Sequence, residues 1–332
     1  MNVRRVVSMS GGKDSTAVAL LAEDLGAGDV EHVFVDTGNE HEITLQYVHE
    51  YLPTVLKAPI ATVRASFDRE IAGKRKYIEE KWLEKGVPVA HVEAALSILV
   101  PTGNPFLDLC LWKGRFPSRK AQFCTQFLKR RVLEDFMLAR LEAGLEVESW
   151  RGIRRDESEA RKNAVERAQA AEGWAIVHPI VDWSAQKTVD FVRSRGVELN
   201  PLYSQGMGRV GCMPCINCSK DELLEISRRF PEHVARIREW ERIVGMAAKG
   251  GRSSFFTERC KVSKVPLPDW THVEATDDEP EHWLEPQMEA LERCSIDQRI
   301  EWAKTSRGGR QFDLVRSDMP APACSSLYGL CE

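Results

Sequence analysis

The chain has 332 residues, 46 Lys and Arg against 50 Asp and Glu, a formal net charge of −4, and 43% hydrophobic residues. At about 150 residues per domain, this is one large domain or two ordinary ones, with enough apolar chain for a sizeable core. The charge balance excludes a strongly basic nucleic-acid coat and a highly charged disordered chain, and leaves room for a local basic patch.

In chain order, Val3 to Ser8 is a β-branched run entering a tight loop, and predicts a strand. Asp14 to Leu25 has helical spacing at Ala17, Val18, Leu20, Leu21 and Leu25. Glu31 to Val35 reads as a second strand, Glu40 to Tyr51 as a helix stopped by Pro53, and Ile60 to Val63 as a third strand. Strands separated by helices imply parallel pairing through right-handed crossovers, an α/β fold. Phe67 to Lys85 predicts a polar helix, Val100 to Pro117 a Gly- and Pro-punctuated stretch, and Ala121 to Ala143 a long helix. Val147 to Ile153 and Trp174 to Val181 read as strands, with a charged helix from Glu157 to Ala171 between them and a helix from Ser184 to Arg195 after them. Beyond Cys218, Glu222 to Met246 is helical, Glu274 to Glu292 holds eight acids and no Lys or Arg, and Ile296 to Lys304 is helical again. The expected division is a catalytic domain over residues 1–220 and a C-terminal appendage over 221–332.

Nine cysteines stand in a large chain that starts MNVRRVVSMSGGKDS, without an apolar signal segment or a bilayer-length stretch. This pattern suggests a reducing, cytoplasmic setting, thiols kept for metal or chemistry, and no membrane partner.

Ser10-Gly11-Gly12-Lys13-Asp14-Ser15 lies between the first strand and first helix. Two glycines let the backbone approach a ligand closely. A helix N-terminus, two hydroxyls and the Lys13 charge make an anion cradle suited to pyrophosphate. The Walker A spacing is absent, as are H-E-x-x-H and G-x-S-x-G. Asp36 ends the second strand, where ligands dock on open α/β sheets, and is a candidate for Mg²⁺ or ribose hydroxyls. Arg154 and Arg161 offer forks for phosphate or sulfate oxygens; a solvated helix face with Glu157 and Glu159 is the competing reading, for Arg161 above all. Lys113 to Arg131 has seven basic residues and no acids, interleaved, from Trp112 on, with Phe116, Phe123 and Phe127. It is a candidate surface for an anionic substrate or nucleic acid, or a basic helix face balanced elsewhere. Cys212, Cys215 and Cys218, at C-x-x-C-x-x-C spacing, can converge on one metal centre, iron–sulfur or zinc. Cys110, Cys260 and Cys294 have no partner spacing and read as buried apolar residues.

The hexapeptide resembles the pyrophosphate loop of the PP-loop ATP pyrophosphatase superfamily. Val35-Asp36-Thr37-Gly38, then Arg151-Gly152-Ile153-Arg154 with Asp156-Glu157-Ser158 and Arg161, are similar to motifs of the phosphoadenosine phosphosulfate (PAPS) reductase-like family. So is Asn200-Pro201-Leu202-Tyr203 with Gly206, Gly211, Cys212 and Cys215. Phe116-Pro117-Ser118 with Phe123-Cys124-Thr125 and Leu128-Lys129 resembles phage-encoded and DNA-phosphorothioation-type relatives, as does Trp302 with Thr305 to Arg310. The resemblance covers about residues 4 to 218.

It implies a parallel-sheet, adenine nucleotide alpha hydrolase-like (Rossmann-like) core. Ser10, Gly11, Gly12, Lys13, Asp14, Ser15, Asp36, Gly152 and Arg154 would bind ATP with Mg²⁺. Lys13, Asp14 and Arg154 would serve adenylyl or sulfur transfer. Cys124, Cys212, Cys215 and Cys218 would hold a [4Fe–4S] cluster, with zinc as runner-up and Cys324 or Cys331 as rival fourth ligand. Cys324 and Cys331 are also candidates for a nucleophile and resolving pair. The alternatives are an adenylyl- or phosphoadenylyl-sulfate reductase that forms sulfite with thioredoxin as electron donor, and a nucleic-acid-binding accessory. A sulfur-donor protein is a further implied partner.

Overall fold

The computed structural model describes residues 3–26, 29–256 and 295–305. The elements run β1 (Val3–Met9), α1 (Lys13–Asp24), β2 (Val30–Val35), α2 (Glu42–Gln46), a π-turn into α3 (Leu52–Val55), β3 (Ile60–Val63), α4 (Asp68–Lys81), α5 (Val89–Ile98) and α6 (Pro105–Lys113). A second π-turn leads into α7 (Arg131–Glu142), then β4 (Glu146–Trp150), β5 (Arg167–Gln169), β6 (Ala175–Val177), α8 (Ala185–Ser194), α9 (Lys220–Arg229), α10 (Pro231–Met246) and α11 (Ile296–Lys304). Among the described residues, no helix is long and apolar enough to cross a membrane.

The six strands form one sheet in the order β3-β2-β1-β4-β6-β5, parallel except for β5 against β6. The expected α/β fold is what the chain adopts. Central strands are apolar on both faces because both faces are covered. Val7 and Phe34 point to one side with α1 and α8, while their neighbours Val6 and Val33 point to the other with Met137 of α7 and Trp174. The alternation is the two-residue pleat of a strand.

Several local expectations change. Pro53 does not stop the second helix, which runs on through Leu52–Val55, and the helix expected over Glu222 to Met246 is two, broken at Phe230 before Pro231. The charged stretch from Glu157 to Ala171 is not a helix: it makes short 3₁₀ turns and then β5. Its only apolar stripe, Ala160, Ala164 and Ala168, is of small side chains that bury little, and charges beside it pair locally, as in Arg161 with Glu157 and Arg155 with Asp182. Conversely, the punctuated stretch after Val100 contains α6. Asn104 caps it by accepting the Leu107 N–H at 3.0 Å, Pro105 fills its first turn, and Gly114 at φ +62° ends it. Pro and Gly here are the start and stop signals of one helix.

The single boundary expected after residue 220 gives way to an interleaved division. One unit holds residues 1–64 and 128–213, with the whole sheet; the other holds 65–127 with the chain from 214 through α11. In the helical unit, α10 packs on α5, α6, α9 and α11. Phe106 stacks on Trp240 at 5.6 Å, and Phe116 meets Phe255 at 5.3 Å. Residues 65–127 leave the sheet unit because their aromatic side chains close against α10 and the chain after it. Lys74 of α4 adds a polar tie, donating to the carbonyls of Leu111 and Ala247 at 2.7 Å each.

Candidate functional site

The parallel register sets the C-terminal ends of three strands side by side: Met9 of β1 pairs with Phe34, and Val7 with Trp150 of β4. The strand order reverses between β1 and β4, the place where open α/β sheets form a ligand crevice. The hexapeptide leaves β1 there. Gly11 turns at φ +72°, and a Cβ on it would stand 2.9 Å from Thr44 Cγ2. Gly12 is the N-cap of α1, and no side chain caps the helix. Helix geometry leaves the first amides, those of Asp14 and Ser15 included, without intrahelical acceptors. The Lys13 amide donates to the Tyr203 hydroxyl at 3.1 Å. Ser15 Oγ donates to the Gly12 carbonyl at 2.9 Å and accepts the Ser10 N–H at 3.2 Å, which fixes the loop's curvature.

Charge at this turn is organised around Asp14. Its Oδ2 pairs with Lys13 Nζ at 2.9 Å, and its Oδ1 accepts from Arg154 Nε at 2.6 Å. Lys13 and Arg154 are both buried, 5% and 2% exposed. Arg154 also donates to Asp156 and to the Trp183 carbonyl. Arg161 pairs with Glu157. Burial, then the nearby Arg209 charge, lower the Arg161 pKa against the opposing pull of Asp14. Lys13, Arg154, Arg161 and Arg209 thus share one region with Asp14, Asp156 and Glu157. Gly152 makes the approach possible, since a Cβ there would lie 2.8 Å from the Asp14 carbonyl carbon and 3.0 Å from the Ser15 nitrogen.

Asp36 ends β2 as expected. Its Oδ1 accepts the Gly38 N–H at 2.9 Å, and its Oδ2 pairs with half-exposed Arg64 at 3.0 Å. The residues singled out in the sequence did not include Glu40. Its buried carboxylate accepts the Thr37 hydroxyl at 2.6 Å and the Thr37 and Asn39 amides at 3.0 and 3.2 Å. All of these bonds run toward the Glu40 carboxylate, so it holds the loop together from one side. Asn200 and Tyr203 also act on the loop: Asn200 Nδ2 donates to the Gly11 carbonyl at 3.2 Å.

The candidate metal ligands fall in both units. Cys212 belongs to the sheet unit, where its thiol lies 3.8 Å from Glu40 Oε1. Cys124, Cys215 and Cys218 belong to the helical unit. The Asn217 amide donates to Cys215 Sγ at 3.4 Å, and the Cys218 amide to the Cys215 carbonyl at 2.9 Å. The sulfurs of Cys124, Cys215 and Cys218 are not all within 4.8 Å of one another. Cys110 is fully buried, in line with a packing role, and burial pushes its thiol pKa well up. Cys260, Cys294, Cys324 and Cys331 lie outside the described residues. In the basic aromatic segment, Phe116 and Phe123 are buried, and Trp112 is stacked on Phe67 with Lys113 Nζ 3.6 Å from its ring centre. These rings serve the unit's own packing.

The model of the phosphoadenosine phosphosulfate reductase domain matches residues 4–218. The chain belongs to this family. Among similar proteins, an uncharacterized 37.8 kDa protein from the gpa 5′ region of Escherichia phage 186 is 41% identical over 98% of this chain and 96% of its own length. An adenosine 5′-phosphosulfate reductase of Streptomyces coelicolor is 41% identical over 130 residues, 37% of this chain and 52% of that protein. Among solved structures, a phosphoadenylyl-sulfate (PAPS) reductase from Candida auris in its phosphate complex overlaps 64% of this chain and 81% of its own, at 14% identity and a TM-score of 0.40. Family membership rests on the sequence matches.

Proposed function

We propose that this PAPS reductase-family chain binds ATP at the Ser10–Ser15 loop and transfers an adenylyl or sulfur group. The observation that carries the reading is the buried Lys13–Asp14–Arg154 chain at the uncapped start of α1. Asp14 holds two cations in place before a ligand arrives, so no reorganisation is needed when charge develops. The amides of Asp14 and Ser15 would receive phosphate oxygens, and Lys13 would neutralise the charge of departing pyrophosphate. Arg154 would orient the anionic group, its fork already fixed by Asp156. Asp36, already paired with Arg64, suits ribose hydroxyls better than a metal ion; Mg²⁺ would enter with the triphosphate.

Cys124, Cys212, Cys215 and Cys218 would hold a [4Fe–4S] cluster, with zinc the other metal that suits thiolates. The donor chemistry supports it: these are soft ligands, and the Asn217 amide aimed at Cys215 Sγ is the kind of outer contact that stabilises a bound thiolate. When bound, the cluster supplies a redox-capable soft centre for sulfur chemistry.

The test is an anaerobic preparation assayed for metal, ATP binding and pyrophosphate release with Mg²⁺. Bound iron, ATP binding weakened about tenfold or more by Lys13→Ala, and pyrophosphate are expected. Sulfite from a sulfonucleotide with reduced thioredoxin, without ATP binding, overturns the ATP reading in favour of a reductase. A colourless protein with one zinc per chain overturns the cluster.

A further inference from the structure

The loop after β2 and the Cys212 thiol converge on one buried carboxylate. Glu40 is 6% exposed. Its Oε1 accepts the Thr37 hydroxyl at 2.6 Å and lies 3.8 Å from Cys212 Sγ, which is itself 3.5 Å from Thr37 Oγ1. Its Oε2 accepts the Thr37 and Asn39 amides. The backbones are joined as well. Glu40 and Cys212 form an antiparallel bridge, and the Met213 N–H donates to the Asn39 carbonyl at 2.7 Å. Asp36, the residue at the ligand end of β2, is tied into the same loop through the Gly38 amide. Residues 36–40 and 212–213 are therefore tied together by one set of hydrogen bonds. A Cys212 sulfur drawn toward another partner would pull on Glu40 and Thr37, and through them on the amides that shape the Asp36 loop.

We infer that Glu40 and Thr37 are positioning residues that couple the ligation state of Cys212 to nucleotide affinity. The inference rests on the proposed function, with the nucleotide at the β1 and β2 loops and Cys212 as a metal ligand. Coupling of this kind is reciprocal: whatever factor metal ligation applies to nucleotide affinity, nucleotide applies to metal affinity. No strain or long pathway is needed, because a single carboxylate touches both sides.

Hydrogen exchange at the Met213 amide, followed with and without saturating ATP on the protein as purified, tests this. Calorimetry establishes ATP or adenosine 5′-phosphosulfate binding in the same samples. Nucleotide is expected to slow exchange at Met213 at least fivefold in the wild type, and less than twofold in Glu40→Gln. Thr37→Val keeps every backbone bond and removes only the hydroxyl between Glu40 and Cys212, so it answers the question should Glu40→Gln fail to fold. It too is expected to respond less than twofold. A purely structural role for Glu40 would not make residue 213 sense nucleotide. Nucleotide binding with unchanged exchange at Met213 overturns the coupling and leaves the site reading intact. No binding of either nucleotide overturns both.

Discussion

Gly152 has no room for a side chain. A Cβ would press on the Asp14 carbonyl group at 2.8–2.9 Å and on the Ser15 nitrogen at 3.0 Å, all backbone atoms that cannot rotate away. Gly152→Ala is therefore expected to push the β4 loop off the start of α1. The cost should be about 1–3 kcal/mol, typical of forced overpacking, with nucleotide affinity falling further because Arg154 moves with the loop. Urea unfolding beside calorimetry checks both; a variant with wild-type values on each would contradict the steric account. At this scale the sequence was legible where chemistry is local. Ser10 to Ser15 announces the Gly-rich turn that starts α1 by composition and position alone. Glu40 was not, because its importance comes from contacts with Thr37 and Cys212, the latter 172 positions along the chain.

At the scale of elements, the segment from Asn200 to Tyr203 is a latch on the loop. Asn200 accepts the Leu202 N–H at 3.0 Å, which winds the turn, and donates to the Gly11 carbonyl; the Tyr203 hydroxyl takes the Lys13 amide. Tyr203→Phe leaves that amide without its acceptor and is expected to cost about 1–2 kcal/mol. A rise in the exchange rate of the Lys13 amide and a lowered unfolding midpoint are the readouts; an unchanged midpoint counts against the latch. Alternation and helical spacing revealed β1, α1, β2 and β3 because their apolar faces are continuous. They misread the stretch from Glu157 to Ala171. Charge density there resembles a solvated helix, but its alanine stripe has little to bury, and β6 offered an open edge for pairing.

For the molecule as a whole, the helical unit carries a built-in pH dependence. Glu241 of α10 accepts the Phe255 and Ile296 amides at 2.9 and 3.0 Å, joining two chain segments. Burial raises its pKa to about 7 from 4.5, against the lowering effect of those hydrogen bonds. The folded state thus holds the proton more tightly than the unfolded one. Its contribution is fully present below pH 4.5 and is lost as pH rises through about 7. The loss amounts to about 3 kcal/mol. Glu241→Gln removes the titration. The wild-type stability minus that of the variant should therefore fall between pH 5 and 8, whatever constant offset the amide introduces. Urea midpoints across that range check it, and parallel curves would sink the assignment.

Determined by the sequence alone were the α/β class, the Gly-rich loop between β1 and α1, the family resemblance and the thiol spacing. Each is read from short segments, a single loop or strand or a series of motifs in fixed order, within which backbone geometry and side-chain period dominate. Tertiary structure decided what distance along the chain conceals. It joined residues 65–127 to the chain after residue 213, because Phe106 and Phe116 bury their rings against Trp240 and Phe255. It set Arg154 on Asp14, 140 positions apart, and Asn200 on Gly11, 189 apart. Contacts of that separation follow from which apolar faces close against which, and no local pattern records that choice.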